Sequence, residues 1–137
     1  AVQIEKNSPI GSLYPGMRTD SHLFYPGGFS LNGICNENYY TVHVTPQKTG
    51  SYTSFETNVI EPDYGPTVAQ VIDAFRPGRF SLVLTSSMEP SLKPLHRTVS
   101  GRVPGYGVLE KSYHEFDCGY AVTFFNCAAT ETQEPAP

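Results

Sequence analysis

Alternating apolar and polar residues between positions 39 and 46 limit most strongly what this chain can fold into. Tyr40, Val42 and Val44 would point to one side of an extended chain, and the intervening polar residues, His43 among them, to the other. A period of two is typical of a β-strand with one buried face. Proline ends the run at position 46, so the segment predicts one strand with a polar second face.

Neighbouring segments extend this strand into an antiparallel meander. Residues 28–34 predict its hairpin partner, because Asn36 and Asn38 in the connection tolerate positive φ. Residues 51–57, rich in aromatic and β-branched side chains, predict the next strand. Further strands are predicted over 79–85, 97–103, 106–109 and 113–126, with one short strand in the lead-in 1–22.

A single segment has the periodicity of a helix. Val68, Val71, Ile72 and Phe75 fall at positions i, i+3, i+4 and i+7, which gives one apolar stripe. Residues 76–78 predict its end, because proline bars continuation and glycine accepts a left-handed exit. The pattern predicts an α+β fold with a mostly antiparallel sheet and one helix on its outer face.

Charge and hydropathy exclude two classes of partner. Nine Lys and Arg against thirteen Asp and Glu give a net charge of -4, with no basic run that could follow a phosphate backbone. Nucleic acid is therefore not an expected partner. No stretch approaches the roughly 18 apolar residues of a membrane span, and the N-terminus lacks a secretion signal. We expect no membrane association.

The cysteines and the chain ends give further expectations. Cys35, Cys118 and Cys127 show no CxxC or metal-ligand spacing, so we expect structural thiols, no metal site and a reducing compartment, most simply the cytoplasm. Residues 1–129 are expected to form one domain. The polar residues 130–137 predict a disordered tail.

One helix of about three turns cannot cover both faces of such a sheet. The face that carries His43 also carries tyrosines and threonines, an unusual composition for bare surface. We therefore expect either a second sheet layer, which a second copy could supply, or a ligand held between two sheets.

Several strings resemble the eukaryotic S-adenosylmethionine decarboxylase family. They are HVTP at 43–46, SFETN at 54–58, FRPGRF at 75–80 and RTV at 97–99. The resemblance covers roughly residues 10–128, about the length of that family's C-terminal half. It implies half of a four-layer αββα sandwich, a pyruvoyl-dependent carboxy-lyase of polyamine and spermidine biosynthesis, and an S-adenosylmethionine-like substrate. The second layer would be the other sandwich half or a homodimer partner.

The resemblance also assigns site residues. Ser30 and His43 fall where the family has the serine and histidine that assist self-cleavage of the proenzyme. Phe24 falls where an aromatic ring stacks on adenine, and Gln47 where a glutamate grips the ribose hydroxyls. Gly27 replaces a family cysteine. From the residue pattern alone, the Ser30 and His43 pair also fits hydroxyl and imidazole groups satisfied on a polar sheet face, and Phe24 also fits a core aromatic.

The family's cofactor cannot arise within this sequence by the family's route. The pyruvoyl group forms at a Glu-Ser bond, and no Glu-Ser dipeptide occurs in the 137 residues, which begin with Ala1. We therefore expect the chain to be inactive alone, with pyruvoyl on another chain or on a missing N-terminal segment. The alternatives are a non-catalytic regulatory paralogue, a fold repurposed as a stand-alone dimer for another small molecule, and a hydrolase that uses Ser30 and His43.

Overall fold

The computed structural model describes residues 9–99 and 102–130. In those residues the chain forms seven strands and two helices. The strands are β1 (Arg18–Leu23), β2 (Phe29–Cys35), β3 (Asn38–Thr45), β4 (Tyr52–Thr57), β5 (Arg79–Ser87), β6 (Tyr106–Glu115) and β7 (Tyr120–Ala129). The helices are α1 (Gly65–Phe75) and α2 (Leu95–Thr98). The predicted α+β class with antiparallel strands is confirmed.

Contacts between Cα atoms divide the chain into two compact units. Among the described residues, the N-terminal unit runs to Glu61 and includes Asp73–Phe75, and the C-terminal unit comprises Pro62–Ile72 and the residues from Arg76 onward. The strand order is β1-β2-β3-β4 in the N-terminal unit and β5-β7-β6 in the C-terminal unit, with every pair antiparallel. The strands, predicted as one sheet, are therefore hydrogen-bonded as two.

The alternation along β3 places its apolar residues in the core of the N-terminal unit. Tyr40 and Val42 are 0% and 1% exposed, whereas His43, on the opposite face of the strand, is exposed. The Tyr40 ring contacts the rings of Tyr14 and Phe55, with centroids 5.4 and 6.3 Å apart. The predicted two-faced strand is confirmed.

Apolar residues from one face of the sheet β5-β7-β6, together with residues that flank the two helices, form the core of the C-terminal unit. Val99, Phe125 and Cys127 are buried there. The half-buried side chains packed against them are Tyr64, Phe80, Leu82 and Leu84. Three of these come from alternate positions of β5, so the period of two predicted for residues 79–85 is confirmed.

Helix α1 lies where the apolar stripe predicts it, but its end differs in detail. The helix follows Tyr64, and Pro66 occupies its first turn, where a missing N–H is tolerated. Arg76, with φ 43°, adopts the left-handed conformation and donates its N–H to the carbonyl of Ile72 at 2.7 Å. The left-handed residue was predicted to be Gly78. Because a proline follows Arg76, the chain leaves the helix two residues earlier.

Two predicted strands in the C-terminal half differ from the structure. The strand expected over 97–103 is wrong, because α2 occupies its first residues; Thr98 Oγ1 donates to the carbonyl of Leu95 at 2.8 Å, a local bond that a strand would lack. The run 113–126 is broken into β6 and β7 by a tight turn. Gly119, with φ 83°, supplies the backbone conformation that this turn requires.

The described ranges contain no helix that is long and apolar enough to cross a membrane. The residues after Thr130, where a disordered tail was predicted, lie outside the described residues. The prediction of one domain over 1–129 stays a prediction.

Candidate functional site

Four side chains form a row across the N-terminal sheet, one from each strand. The register pairs His22 with Ser30, Ser30 with His43, and His43 with Ser54. Directly opposed residues of antiparallel strands carry their side chains on the same face, with Cβ atoms about 4.5–5.5 Å apart. We call these four residues the polar row. The structure thus brings Ser30 and His43, singled out from the sequence, into direct cross-strand contact distance.

The polar row lies on the more exposed face of this sheet. Ser30 is half-buried and His43 is exposed, whereas the adjoining β3 residues Tyr40 and Val42 are buried on the other face. Asn32, two residues from Ser30 on the same strand, donates from Nδ2 to Ser30 Oγ at 3.4 Å. The serine hydroxyl and the imidazole are therefore open to a ligand or to a further layer of protein.

Phe24 extends this face just beyond the end of β1. Its N–H donates to the carbonyl of Gly28 at 3.0 Å, which continues the antiparallel pairing past Leu23. The side chain is 53% exposed. Its ring lies edge-on to the His22 ring, with centroids 4.5 Å apart and an interplanar angle of 65°. Phe24 is thus an open aromatic surface beside the polar row and not a core residue.

Gln47 lies at the same end of the sheet as Phe24. It follows β3 by two residues, its side chain is exposed, and its N–H donates to Ser51 Oγ at 3.4 Å. The turn that carries Gly27 approaches this segment, because a Cβ on Gly27 would lie 3.1 Å from Pro46 Cγ. Phe24 and Gln47 therefore flank one end of the polar row.

A concave pocket of about 590 Å³ opens on the other side of the polar row. Its polar and apolar lining includes Arg18, Asp20, Asn32, Ile34, Tyr39 and Thr41. Asp20, Asn32 and Thr41 are successive cross-strand neighbours, one same-face step from the polar row. The face therefore runs without interruption from Phe24 through the polar row to this pocket.

A second polar cluster lies in the C-terminal unit. His96 Nε2 is 2.9 Å from Ser86 Oγ, and His96 Nδ1 is 2.7 Å from Thr123 Oγ1. The Tyr113 ring packs edge-on to the imidazole, with centroids 5.4 Å apart. Burial lowers the pKa of His96, which favours its neutral form.

Sequence reasoning missed His22, Ser54 and the cluster around His96. His22 stands two residues before Phe24, so recognition of β1 as a strand would have placed both on one face. Ser54 would have followed from the register of β3 and β4. His96 and its partners are far apart in the sequence, and no local pattern joins them. In the part of the chain that the structure describes, no group of three or more His, Cys, Asp or Glu could hold a metal ion.

Comparison with curated proteins identifies relatives of one kind. The chain is 40% identical to an S-adenosylmethionine decarboxylase proenzyme of Dictyostelium discoideum over 120 residues, which cover 88% of this chain and 32% of the relative. It is 44% identical to the Drosophila melanogaster proenzyme over 78 residues, 56% of this chain and 22% of the relative. The chain thus spans about a third or less of these relatives.

A solved structure has the same fold. A crystal structure of a Trypanosoma brucei AdoMetDC monomer superimposes with a TM-score of 0.76 at 22% identity, over 87% of this chain and 49% of that one. The family model described as adenosylmethionine decarboxylase matches residues 1–128. The resemblance seen in the sequence strings is thereby confirmed, and the chain belongs to the adenosylmethionine decarboxylase family.

Proposed function

We propose that this chain is part, or the partner, of a pyruvoyl-dependent S-adenosylmethionine decarboxylase, a carboxy-lyase of polyamine biosynthesis that leads to spermidine. One observation carries the proposal. Ser30 and His43, to which the resemblance assigns the serine and histidine that assist self-cleavage, are direct cross-strand neighbours on an open face that ends at Phe24. This face would bind the substrate and set a hydroxyl and an imidazole beside the reacting atoms.

The end of the face near Phe24 suits the adenosine portion of such a substrate. A flat, half-exposed ring offers a stacking surface to a purine. The exposed amide of Gln47 can exchange hydrogen bonds with ribose hydroxyls. Phe24 lies one same-face step, about 6.8 Å, from the polar row. A ligand stacked on Phe24 therefore reaches Ser30 and His43 with its other end.

The pyruvoyl group would have to come from outside these residues, because the 137-residue sequence contains no Glu-Ser bond. Ser30 and His43 fit a neighbouring carbonyl group, since the hydroxyl and the imidazole can each donate a hydrogen bond to a carbonyl oxygen. The group, when bound, supplies the electron sink that loss of carbon dioxide needs. His43 can also hold or release a proton beside Ser30 Oγ.

The same proposal includes a second layer and a location. The exposed face of the N-terminal sheet would be covered by the other sandwich half or by a second copy of the chain. We place the protein in the cytoplasm, with a small-molecule substrate and no nucleic-acid or membrane partner. The acidic net charge and the absence of a basic run argue against a nucleic-acid partner.

A non-catalytic regulatory paralogue is the second candidate, and two positions favour it. Gln47 lacks the negative charge of the family's glutamate, and Gly27 lacks the family's thiol. A Cβ at position 27 would lie 3.1 Å from Pro46 Cγ, closer than usual, so any side chain there would require Pro46, beside Gln47, to shift by a few tenths of an ångström. Such a protein would keep the fold and dock on an active enzyme.

One experiment separates these candidates. The full-length protein is purified with every polypeptide that accompanies it, intact masses are measured, and release of labelled carbon dioxide from carboxyl-labelled S-adenosylmethionine is followed. We expect a pyruvoyl-blocked polypeptide and turnover, and no turnover from the 137-residue chain alone. Release of carbon dioxide by the unmodified chain alone would contradict the proposal. A full-length preparation with neither pyruvoyl nor turnover would favour the paralogue.

Matched variants test the site itself. Ser30→Ala and His43→Ala should each slow turnover or formation of the pyruvoyl-blocked polypeptide by about 100-fold or more, as loss of a proton-transfer group does. Ser81→Ala and His114→Ala replace the same residue types at exposed strand positions of the C-terminal unit and should leave both measurements unchanged. Equal effects from both sets of variants would rule out a special role for Ser30 and His43.

A further inference from the structure

His22 lies between Phe24, the proposed stacking surface, and Ser30 of the polar row. It is the cross-strand neighbour of Ser30 on the side away from His43, and it is the same-face neighbour of Phe24 along the chain. Its side chain is exposed, so burial in a core does not explain its position. No family motif identified in the sequence includes it.

The contact between His22 and Phe24 has the geometry of a favourable aromatic pair. The ring centroids are 4.5 Å apart and the planes meet at 65°, an edge-to-face arrangement. Such pairs are favourable because the positive edge of one ring meets the negative face of the other. The contact therefore selects one orientation of the Phe24 ring.

The residues of the turn that follows Phe24 provide little packing for its ring. Tyr25, which follows it, is 99% exposed. Gly28, its backbone partner, has no side chain; a Cβ there would lie 3.4 Å from Phe24 Cβ, so the aromatic ring passes over bare backbone. An exposed ring that turns freely loses that freedom when a ligand stacks on it, and affinity falls accordingly.

We propose that His22 is a positioning residue, which holds the Phe24 ring in the orientation that stacks on the purine of an adenosine-containing ligand. The inference rests on the proposed function. His22 acts through Phe24 and not on the reacting atoms. Its effect belongs to ligand binding, and the rate of the chemical step at saturating substrate does not depend on it.

The test uses the full-length protein, with adenosine as the binding probe in calorimetry and S-adenosylmethionine in the turnover assay. We expect His22→Ala to weaken adenosine binding about threefold to tenfold, which is the range of an aromatic pair, and to raise KM without changing kcat. His22→Phe keeps an aromatic ring and should restore both values to within about twofold of the wild type. His114→Ala, an exposed histidine on β6, should have no effect.

A double variant distinguishes positioning from an independent contact. Phe24→Ala should weaken adenosine binding, and addition of His22→Ala should cause no further loss, because His22 acts only through the ring. All these side chains are exposed, so thermal unfolding should stay unchanged and report that the variants are folded.

The outcomes separate this inference from the proposed function. If Phe24→Ala weakens adenosine binding and His22→Ala does not, the positioning role is wrong and the adenosine site stands. If His22→Ala weakens binding and His22→Phe fails to restore it, His22 contacts the ligand directly, which also overturns the inference. If neither variant changes adenosine binding, or the wild type does not bind adenosine, the proposed adenosine site is itself wrong.

Discussion

His96 links three elements of the C-terminal unit through its two ring nitrogens. Its partners are Ser86 on β5 and Thr123 on β7, and Thr123 is only 2% exposed. We predict that His96→Ala lowers the free energy of unfolding by about 1–3 kcal/mol, because the buried hydroxyl of Thr123 loses this hydrogen bond. Urea unfolding measures the change. His114→Ala is the control, and an equal loss in both variants would contradict the prediction.

The same residue predicts how stability depends on pH. Burial lowers the pKa of His96 below its usual value of 6.5, so the unfolded chain binds a proton more readily than the folded chain. Its contribution to stability is therefore complete above the unfolded pKa and decreases as pH falls through the window between the unfolded and the folded pKa. Between about pH 7.5 and about pH 5.5, the free energy of unfolding should fall by more in the wild type than in His96→Gln. Equal falls would show that other groups determine the pH dependence.

Gln47 is proposed to bind the ribose hydroxyls through a neutral amide. A neutral amide makes a weaker hydrogen bond to a hydroxyl than a carboxylate does, by about 1 kcal/mol. We predict that Gln47→Glu tightens adenosine binding to the full-length protein about fivefold. Calorimetry with adenosine and with adenine separates the two parts of the ligand, since adenine lacks the ribose and its affinity should not change. Unchanged or weaker adenosine binding would remove Gln47 from the site.

At the scale of elements, the pairing of β2 with β3 depends on a glycine beneath an aromatic ring. Gly33 is the cross-strand partner of Tyr40, and a Cβ on Gly33 would overlap Tyr40 Cε1 and lie 2.6 Å from Cδ1. Because Tyr40 is 0% exposed, its ring cannot swing away. We predict that Gly33→Ala lowers the free energy of unfolding by about 1–3 kcal/mol or more.

Gly78→Ala is the matched control for this prediction. A Cβ on Gly78 meets no atom within 4 Å, and its φ is not in the left-handed region. Its effect on urea unfolding should stay within about 0.5 kcal/mol. If Gly33→Ala were as mild as Gly78→Ala, the close packing of Tyr40 on β2 would be disproved.

Local periodicity predicted the elements whose two faces differ most. The alternation at Tyr40 and Val42 and the stripe at Ile72 and Phe75 both persist in the structure, because burial on one face is what creates each pattern. The turn at Gly119 was not predicted, because β-forming residues continue on both sides of it. Residues 97–103 look like a strand locally, yet α2 includes the first two of them. Tertiary packing, which a single segment does not reveal, decides such cases.

The candidate site shows the same division. The resemblance singled out Ser30 and His43 as candidate site residues, and the register of β2 and β3 makes them cross-strand neighbours. His22 and Ser54 belong to the polar row because β1 pairs with β2 and β4 pairs with β3. A sequence lists residues in one dimension, so a row that crosses four strands becomes visible only when all the registers are known.

At the scale of the whole molecule, each unit leaves large apolar side chains exposed on its sheet. In the N-terminal unit, Ile34 and Tyr39 are cross-strand partners beside the pocket and are 52% and 41% exposed. In the C-terminal unit, Val83 and Leu109 are 60% and 59% exposed. Exposed apolar groups on a sheet face are typical of surfaces that another layer of protein covers.

We therefore predict that the 137-residue chain, purified alone, associates with itself or binds a hydrophobic dye. The reason is that burial of each exposed aliphatic side chain against a partner contributes about 1–2 kcal/mol, which favours a second layer over solvent. Sedimentation velocity over a range of concentrations measures the association, and the full-length protein is the comparison. Ile34→Ser, which removes one apolar side chain from the face that carries the polar row, should weaken the association or the dye signal. A monomer that resists thermal unfolding and binds no dye would show that the sheets need no partner layer.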